Sequence, residues 1–465
     1  MKKIALIPID NRPVCYQLPK MNIDIDKNTK IFLPDRNFLG SLKNNADTQA
    51  LFDWLEDLEE VDYLIISADT LIYGGLIPSR RSGENFEILE QRILKLRNIL
   101  LKKNCKTFLF SSIMRISNNN INEEEKLYWS EWGEKIFAYS YNLHRSEAEG
   151  NPIAKKNVQR LLHEIPKDIL TDWLLTRVRN FDINKLYLKL YDDGLIDTLI
   201  YAKDDCAQFG LNVKEANYFE FEAEKRKNVF VKTGADEIPL TLLARTYTEK
   251  PLKIAPVFTR EESVNLISNY EDISVKKSVN SQIETTGCTV SDVEDADLIL
   301  YVNNFKNEQG ELVMNVDTPL FNGEIPNFDK PCCAADIVNA NGADNMFVDK
   351  LLEHINLNNF YGYSGWNTTG NTLGSVLCTA VIKYKSTDAD ETEFNKLQTV
   401  RFLDDWAYQA NLRKKFKSEN IKNEKEIKEH FANFENRISS IFRTDSTKAK
   451  YSFPWNRYFE IEITI

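Results

Sequence analysis

Ten short apolar runs, none of them alternating with polar residues, govern how this chain can fold. They cover Ile4–Ile9, Lys30–Leu33, Tyr63–Ser67, Thr107–Ser112, Thr198–Ala202, Val229–Lys232, Ile254–Phe258, Leu298–Val302, Cys332–Ile337 and Phe360–Tyr363. A strand with one wet face alternates apolar and polar residues, whereas a strand covered on both faces does not. Helical spacing fills the gaps between runs. Residues 46–60 carry Leu51, Trp54, Leu55 and Leu58 on one stripe. Residues 82–103 carry Ile88, Leu89, Ile93, Leu96 and Leu101, with Ser82 as the expected N-cap. This succession predicts an α/β protein with a mostly parallel sheet and right-handed crossovers, barrel-like in its N-terminal part.

Two segments depart from the pattern. Residues 119–195 read as a helical insertion that contains Leu127, Tyr128, Trp129, Trp132 and Phe137. Beyond about residue 385 the strand pattern stops, and 388–443 is dense in Lys, Glu and Asn at helical spacing. The expected organisation is an α/β domain over 1–250 that holds the insertion, a second α/β portion over 251–385 that completes the site, and a C-terminal helical region over 386–465. Pro251, after Glu249 and Lys250, marks the first boundary.

Composition narrows the function classes. Seventy Asp and Glu against 59 Lys and Arg give a net charge of -11. Such a chain has no general attraction for phosphate backbones or anionic lipid, so neither nucleic acid nor a membrane is expected as partner. No apolar run approaches the roughly 18 residues of a membrane span, and the first run is too short for a signal peptide. The seven cysteines are scattered without a CxxC pair, which fits a reducing cytoplasm. The four histidines lie in helical segments away from ligand-like clusters, so a His-based zinc site is not expected.

Polar residues follow nearly every apolar run. Asp10-Asn11-Arg12-Pro13 follows the first, Asp69 the third, Arg115 the fourth, Asp204-Asp205 the fifth and Asp236-Glu237 the sixth. Asp336, Asn339 and Asn341 accompany the ninth run, and Trp366-Asn367 follow the tenth. In a parallel sheet these C-terminal strand ends share one edge, where ligands bind. One Asp after a strand is ordinarily a turn former or a cap; arginines are not favoured as caps. Adjacent carboxyls such as Asp204 and Asp205 point in different directions, so one can stay ionised while the other is pushed toward a general acid. A solvated turn is the plain alternative for that pair. Arg12 can grip a carboxylate two-pronged, whether a ligand's or that of Asp35 or Asp69. Trp366 beside Asn367 offers a sugar-stacking face, or else belongs to the core, with Gly374 letting the following helix pack closely.

Several motifs carry a resemblance. They are Ile7-Pro-Ile-Asp-Asn-Arg-Pro-Val14, Ser67 through Arg80, Lys203-Asp204-Asp205, Ala335-Asp336 through Asp344, and Gly365-Trp-Asn-Thr-Thr-Gly-Asn-Thr-Leu-Gly374. Together they resemble a bacterial family known only as a domain of unknown function, number 4127. A second, weaker resemblance is to retaining β-N-acetylglucosaminidases of the O-GlcNAcase and bacterial hyaluronidase type, through Asp204-Asp205 and Trp366-Asn367. It implies that Asp204 orients a substrate acetamido group and that Asp205 is the acid/base.

These readings lead to an expected hydrolase of glycosidase type acting on a polar, hydroxylated substrate, with an N-acetyl amino sugar as the finer expectation. Asp204 and Asp205 are its expected catalytic pair. Asp10, Arg12, Asp69, Arg115, Asp236, Asp336, Asn339, Asn341, Trp366 and Asn367 are its expected binding residues, with no cofactor and no metal. One alternative is an isomerase or phosphoester hydrolase using Asp10, Asp69, Asp204 and Asp236 to hold Mg²⁺ or Mn²⁺. Another is a non-catalytic sugar- or metabolite-binding protein.

Overall fold

The computed structural model describes residues 1–204 and 206–465. Its apolar runs form two open, wholly parallel sheets. The first contains β1 (Lys2–Ile7), β2 (Thr29–Phe32), β3 (Tyr63–Ser67), β4 (Lys106–Ile113), β5 (Thr198–Lys203) and β6 (Val229–Thr233) in the order β2-β1-β3-β4-β5-β6. The second contains β7 (Lys253–Phe258), β8 (Thr289–Val290) and β9 (Leu298–Asn303). Past a short segment β10 (Gly310–Glu311) come β11 (Cys332–Asp336), the partner of β10 called β12 (Asn339–Ala340), and β13 (Phe360–Ser364). Its order is β13-β11-β9-β7-β8. Each sheet therefore starts in its middle, sends its second strand to one side and builds the rest on the other, which is doubly wound topology.

The fold class matches the expectation: α/β, mostly parallel, with a helical insertion and a C-terminal helical region. The barrel-like first part has the form of an open sheet. Among the described residues no ladder joins its edge strands β2 and β6.

Both faces of the first sheet are dry, as the unbroken apolar runs require. Ile4 and Leu6 of β1 face a core shared with the second sheet, and Ala5 and Ile7 face a separate outer core. The outer face is covered by helices 48–57, 86–100, 167–192 and 211–223. Helix 86–100 starts three residues later than Ser82 would place it. Asn85 is its cap, and its side chain accepts from the Ile88 N–H at 3.1 Å. The insertion forms helices 129–149, 152–164 and 167–192, and Trp129, Ile136 and Trp173 give it a small core of its own.

Between the sheets lie helices 13–24 and 238–245 from the first and 275–285 and 369–385 from the second. Two polar contacts register this layer. Thr379 donates to Asn22 Oδ1 at 2.7 Å, and the Gln282 amide donates to Thr241 Oγ1 at 3.1 Å. Gly374 permits the close approach. A Cβ there would stand 2.4 Å from both Gln282 Nε2 and Glu237 Cγ. The C-terminal region packs helices 391–401, 413–419 and 424–442 against this shared core. It ends in an antiparallel pair, β14 (Lys450–Ser452) with β15 (Glu462–Thr464). No helix among the described residues is long and apolar enough to cross a membrane. Overpacking at Gly374 should be felt directly: Gly374→Ala is expected to cost about 1–3 kcal/mol, read as a lower urea midpoint.

Candidate functional site

The C-terminal strand edges of both sheets open onto one cavity of about 360 Å³. Its first wall is a knot around Arg12, which caps helix 13–24 directly after β1. Asp10 accepts from the Arg12 backbone N–H at 2.9 Å and from Nε at 2.9 and 3.0 Å. Asp236, beyond β6, receives both terminal guanidinium nitrogens at 2.6 and 3.0 Å. Glu460, from the tail between β14 and β15, accepts from Nη1 at 2.9 Å. Arg12 is 7% exposed. Burial opposes its charge, but Asp10, Asp236 and Glu460 together hold its pKa well above the ordinary value.

Three carboxylates on one guanidinium are more than it can neutralise. Burial pushes Asp236 upward and raises Glu460 to about 7, with Arg12 resisting and the neighbouring acids adding to the rise.

A second wall gathers three more arginines. Asp204 Oδ2 lies 3.4 Å from Arg80 Nη1 and 3.5 Å from Arg115 Nη1. Glu124, at the entry of the insertion, accepts from Arg115 at 2.9 Å and from Arg457 of the tail at 2.9 Å. Glu125 Oε1 stands 3.3 Å from Arg115 and 3.4 Å from Arg80. Burial alone would raise Glu124; Arg115, Arg80 and Arg457 overcome it and hold the carboxyl at about 2.

The third wall comes from the second sheet. Glu271 Oε1 accepts from the Gly370 N–H at 2.8 Å, at the start of helix 369–385. Burial raises Glu271 to about 7, against Ser278, Lys232 and the Gly370 N–H, and with nearby Glu237 adding to the rise. Asn371 lies one residue further along that helix and also lines the cavity. Trp455 closes the mouth. Its indole donates to Asn11 Oδ1 at 2.7 Å, and the Arg12 and Arg457 guanidinium carbons lie 5.2 and 4.7 Å from its ring centre. Trp455 and Asn456 both adopt left-handed backbone, with φ of 55° and 57°. That conformation is costly for side-chain-bearing residues, and at Trp455 it belongs to the turn that brings the ring over the cleft.

Seven of the expected residues line this cavity: Asp10, Arg12, Arg115, Asp204, Asp236, Asn341 and Asn367. Asp205 lies outside the described residues. Four stand elsewhere. Asp69 turns inward and accepts from the Ser112 N–H at 2.8 Å; burial raises it to about 6. Asp336 is fully buried, holds the Asp344 N–H at 2.6 Å and accepts from Asn303 at 3.0 Å, so it braces the second sheet. Asn339 is buried in the β12 pairing, away from the cavity. Trp366 is a core residue, 3% exposed, because the turn after β13 directs it into the shared inter-sheet core. The aromatic residues at the cavity are Trp455, Tyr270 and Phe459.

Arg80, Glu124, Glu271, Asn371, Trp455, Arg457 and Glu460 were not anticipated. Most sit in irregular segments that periodicity does not mark, although Arg80 falls inside the Ser67–Arg80 motif. For the metal alternative, Asp10 and Asp236 are bound to Arg12, Asp204 to Arg80 and Arg115, and Asp69 to backbone. Among the described residues no three Asp, Glu, His or Cys are placed to hold an ion.

Two outcomes follow for stability. Arg12→Ala strands three buried carboxyls and is expected to cost on the order of 3–5 kcal/mol by urea denaturation. Glu271 and Glu460 each hold a proton to about pH 7 when folded, against an ordinary value of 4.5. Between those values the folded chain binds more protons than the unfolded one, so stability should fall as pH rises through that window. A drop on the order of 3–5 kcal/mol is expected between pH 5 and 7.5.

No curated protein and no solved structure matches the chain. One family model does, over residues 4–464, described as a protein of unknown function, DUF4127. The match spans nearly all of both sheets and the tail, and the chain belongs to that family.

Proposed function

We propose that the cavity is the active site of a hydrolase of glycosidase type acting on a small, polar, hydroxylated molecule. The observation that carries this reading is that two unlike carboxyls line the same cavity. Glu271 is buried and raised to about 7, whereas Asp204 is gripped by two guanidinium groups. Two-carboxylate hydrolysis uses an acid that holds its proton near neutrality and a carboxylate kept ionised in the same site, and Glu271 and Asp204 offer those two characters.

In this reading Glu271 donates the proton to the leaving group. Asp204 supports the developing positive charge, and Asp205 remains the alternative acid/base. Asn341, Asn367 and Asn371 supply planar amides for hydroxyl groups, and Trp455 supplies an apolar face. The N-acetyl amino sugar is the finer form of this proposal. The seven cysteines, scattered without a CxxC pair, support a reducing compartment, which we take to be the cytoplasm.

A second reading, a non-catalytic sugar- or metabolite-binding protein, draws on the observation that Asp10, Asp204 and Asp236 are each engaged by arginine. Turnover of an aryl-glycoside panel decides between them. In the hydrolase reading Glu271→Gln lowers kcat about 10²-fold or more while the fold, followed by circular dichroism, persists. Wild-type turnover in both Glu271→Gln and Asp205→Asn would sink the assignment. Ligand-induced thermal shifts without turnover would favour the binding protein.

A further inference from the structure

The charges around the cavity do not balance. Arg12 meets three carboxyls, those of Asp10, Asp236 and Glu460. Arg80, Arg115 and Arg457 meet four, those of Glu123, Glu124, Glu125 and Asp204. Behind the third wall Lys232 stands 3.5 Å from Glu237, and Glu271 lies within its electrostatic reach. Asp404 and Arg413, on which Glu460 acts, carry one charge of each sign and leave the balance unchanged, so they are not counted. Among the described residues the three clusters thus set nine carboxyls against five cations.

The unused hydrogen-bonding capacity has the same sense. Among the described residues lining the cavity, two hold a buried side-chain atom without a partner: Glu271 through Oε2 and Asn371 through Oδ1. These residues are 7% and 4% exposed. Asn371 Oδ1 is an acceptor, Glu271 Oε2 is one whenever that carboxyl is ionised, and a buried acceptor left unpaired costs about 1–3 kcal/mol. A ligand that satisfies them must donate. Of the cations that line the cavity, Arg12, Arg115 and Arg457 are each held by carboxylates, whereas Arg80, behind them, keeps one donor without a hydrogen-bond partner, Nε. The first amide of helix 369–385 at the cavity, Gly370 N–H, is given to Glu271.

We propose that the ligand of this cavity is a hydroxylated organic cation, of the class of sugars or polyols bearing a free protonated amine. Its ammonium group supplies positive charge that the chain's own side chains do not, and its hydroxyls donate to the spare acceptors. The proposal deepens the reading of the cavity as a site for a hydroxylated substrate and rests on it. A bare divalent ion fits less well, because no three of the described carboxyls converge on one point. An anionic sugar would face a surplus of like charge. The raised proton affinities of Glu271, against Lys232 and Glu237, and of Glu460, against Arg12, Asp10 and Asp236, agree with this.

Titration calorimetry of the full chain tests the proposal at about pH 6.5, with glucosamine, glucose, glucuronate and magnesium chloride as probes. Glucosamine is expected to bind about tenfold or more tightly than glucose, and glucuronate more weakly still. Glu271→Gln, checked for folding by circular dichroism, should narrow the preference over glucose to about threefold. Four results overturn the proposal: equal or tighter binding of glucose, tighter binding of glucuronate, tighter binding of magnesium, or no binding of glucosamine at about 10 mM. The hydrolase reading fails separately. Glucosamine preference without glycoside turnover removes that reading alone, and glycoside turnover with glucuronate preference removes this one alone.

Discussion

A single buried guanidinium ties the molecule together. Arg12 follows the first strand, Asp236 follows the sixth and Glu460 lies five residues from the end of the chain, and the three meet through bonds of 2.6–3.0 Å. Burying any of these charges alone would be costly, and each becomes tolerable only when the others are in place. The position of the tail is therefore linked to the folding of the first sheet. Arg36 repeats the link on the outer side, where its guanidinium pairs with Glu462 at 2.5 Å. Because Trp455 and Arg457 lie on the same tail, the knot also sets the roof of the cavity.

The two sheets share a winding but use it differently. In the first, the switch point lies between β1 and β3, and the loop after β1 delivers Asp10 and Arg12 to the cavity. In the second, the corresponding gap between β7 and β9 is filled by the chain itself. Arg260 there donates to the carbonyls of Asn304 and Leu320, and Asn304 accepts from the Arg260 N–H at 3.0 Å. The second sheet contributes instead through the start of helix 369–385 and the Glu271 loop. The result is one shared cavity in place of two separate crevices.

The strand-end rule made much of this legible. Each expected run became a strand, and Asp10, Arg12, Arg115, Asp204 and Asp236 reached the cavity because parallel strands end on one edge. The rule places a backbone position, however, and leaves side-chain direction open. Asp69 and Asp336 occupy the right ends and turn inward to hold backbone N–H groups. Trp366 follows a strand end as well, but only its neighbours Asn367 and Thr368 line the cavity, and its own ring takes the core position that its sequence leaves open as the alternative to a ligand face. Trp455, Arg457 and Glu460 had no signal beyond residue type. The segment between β14 and β15 has no period, and only long-range ion pairs bring it to the first strand. Glu271 lies in a similarly irregular stretch between β7 and helix 275–285.

The account rests on a cavity that holds more acid than its own cations can neutralise. Carboxyl carbon NMR of ¹³C-labelled protein, with Glu271 and Glu460 assigned by comparison with their Gln variants, reads this directly. The account predicts that both groups titrate at about 7 in the folded chain. Titration of both near 4.5, the ordinary value, would show that neither burial nor the surrounding acids hold those protons, and would contradict it.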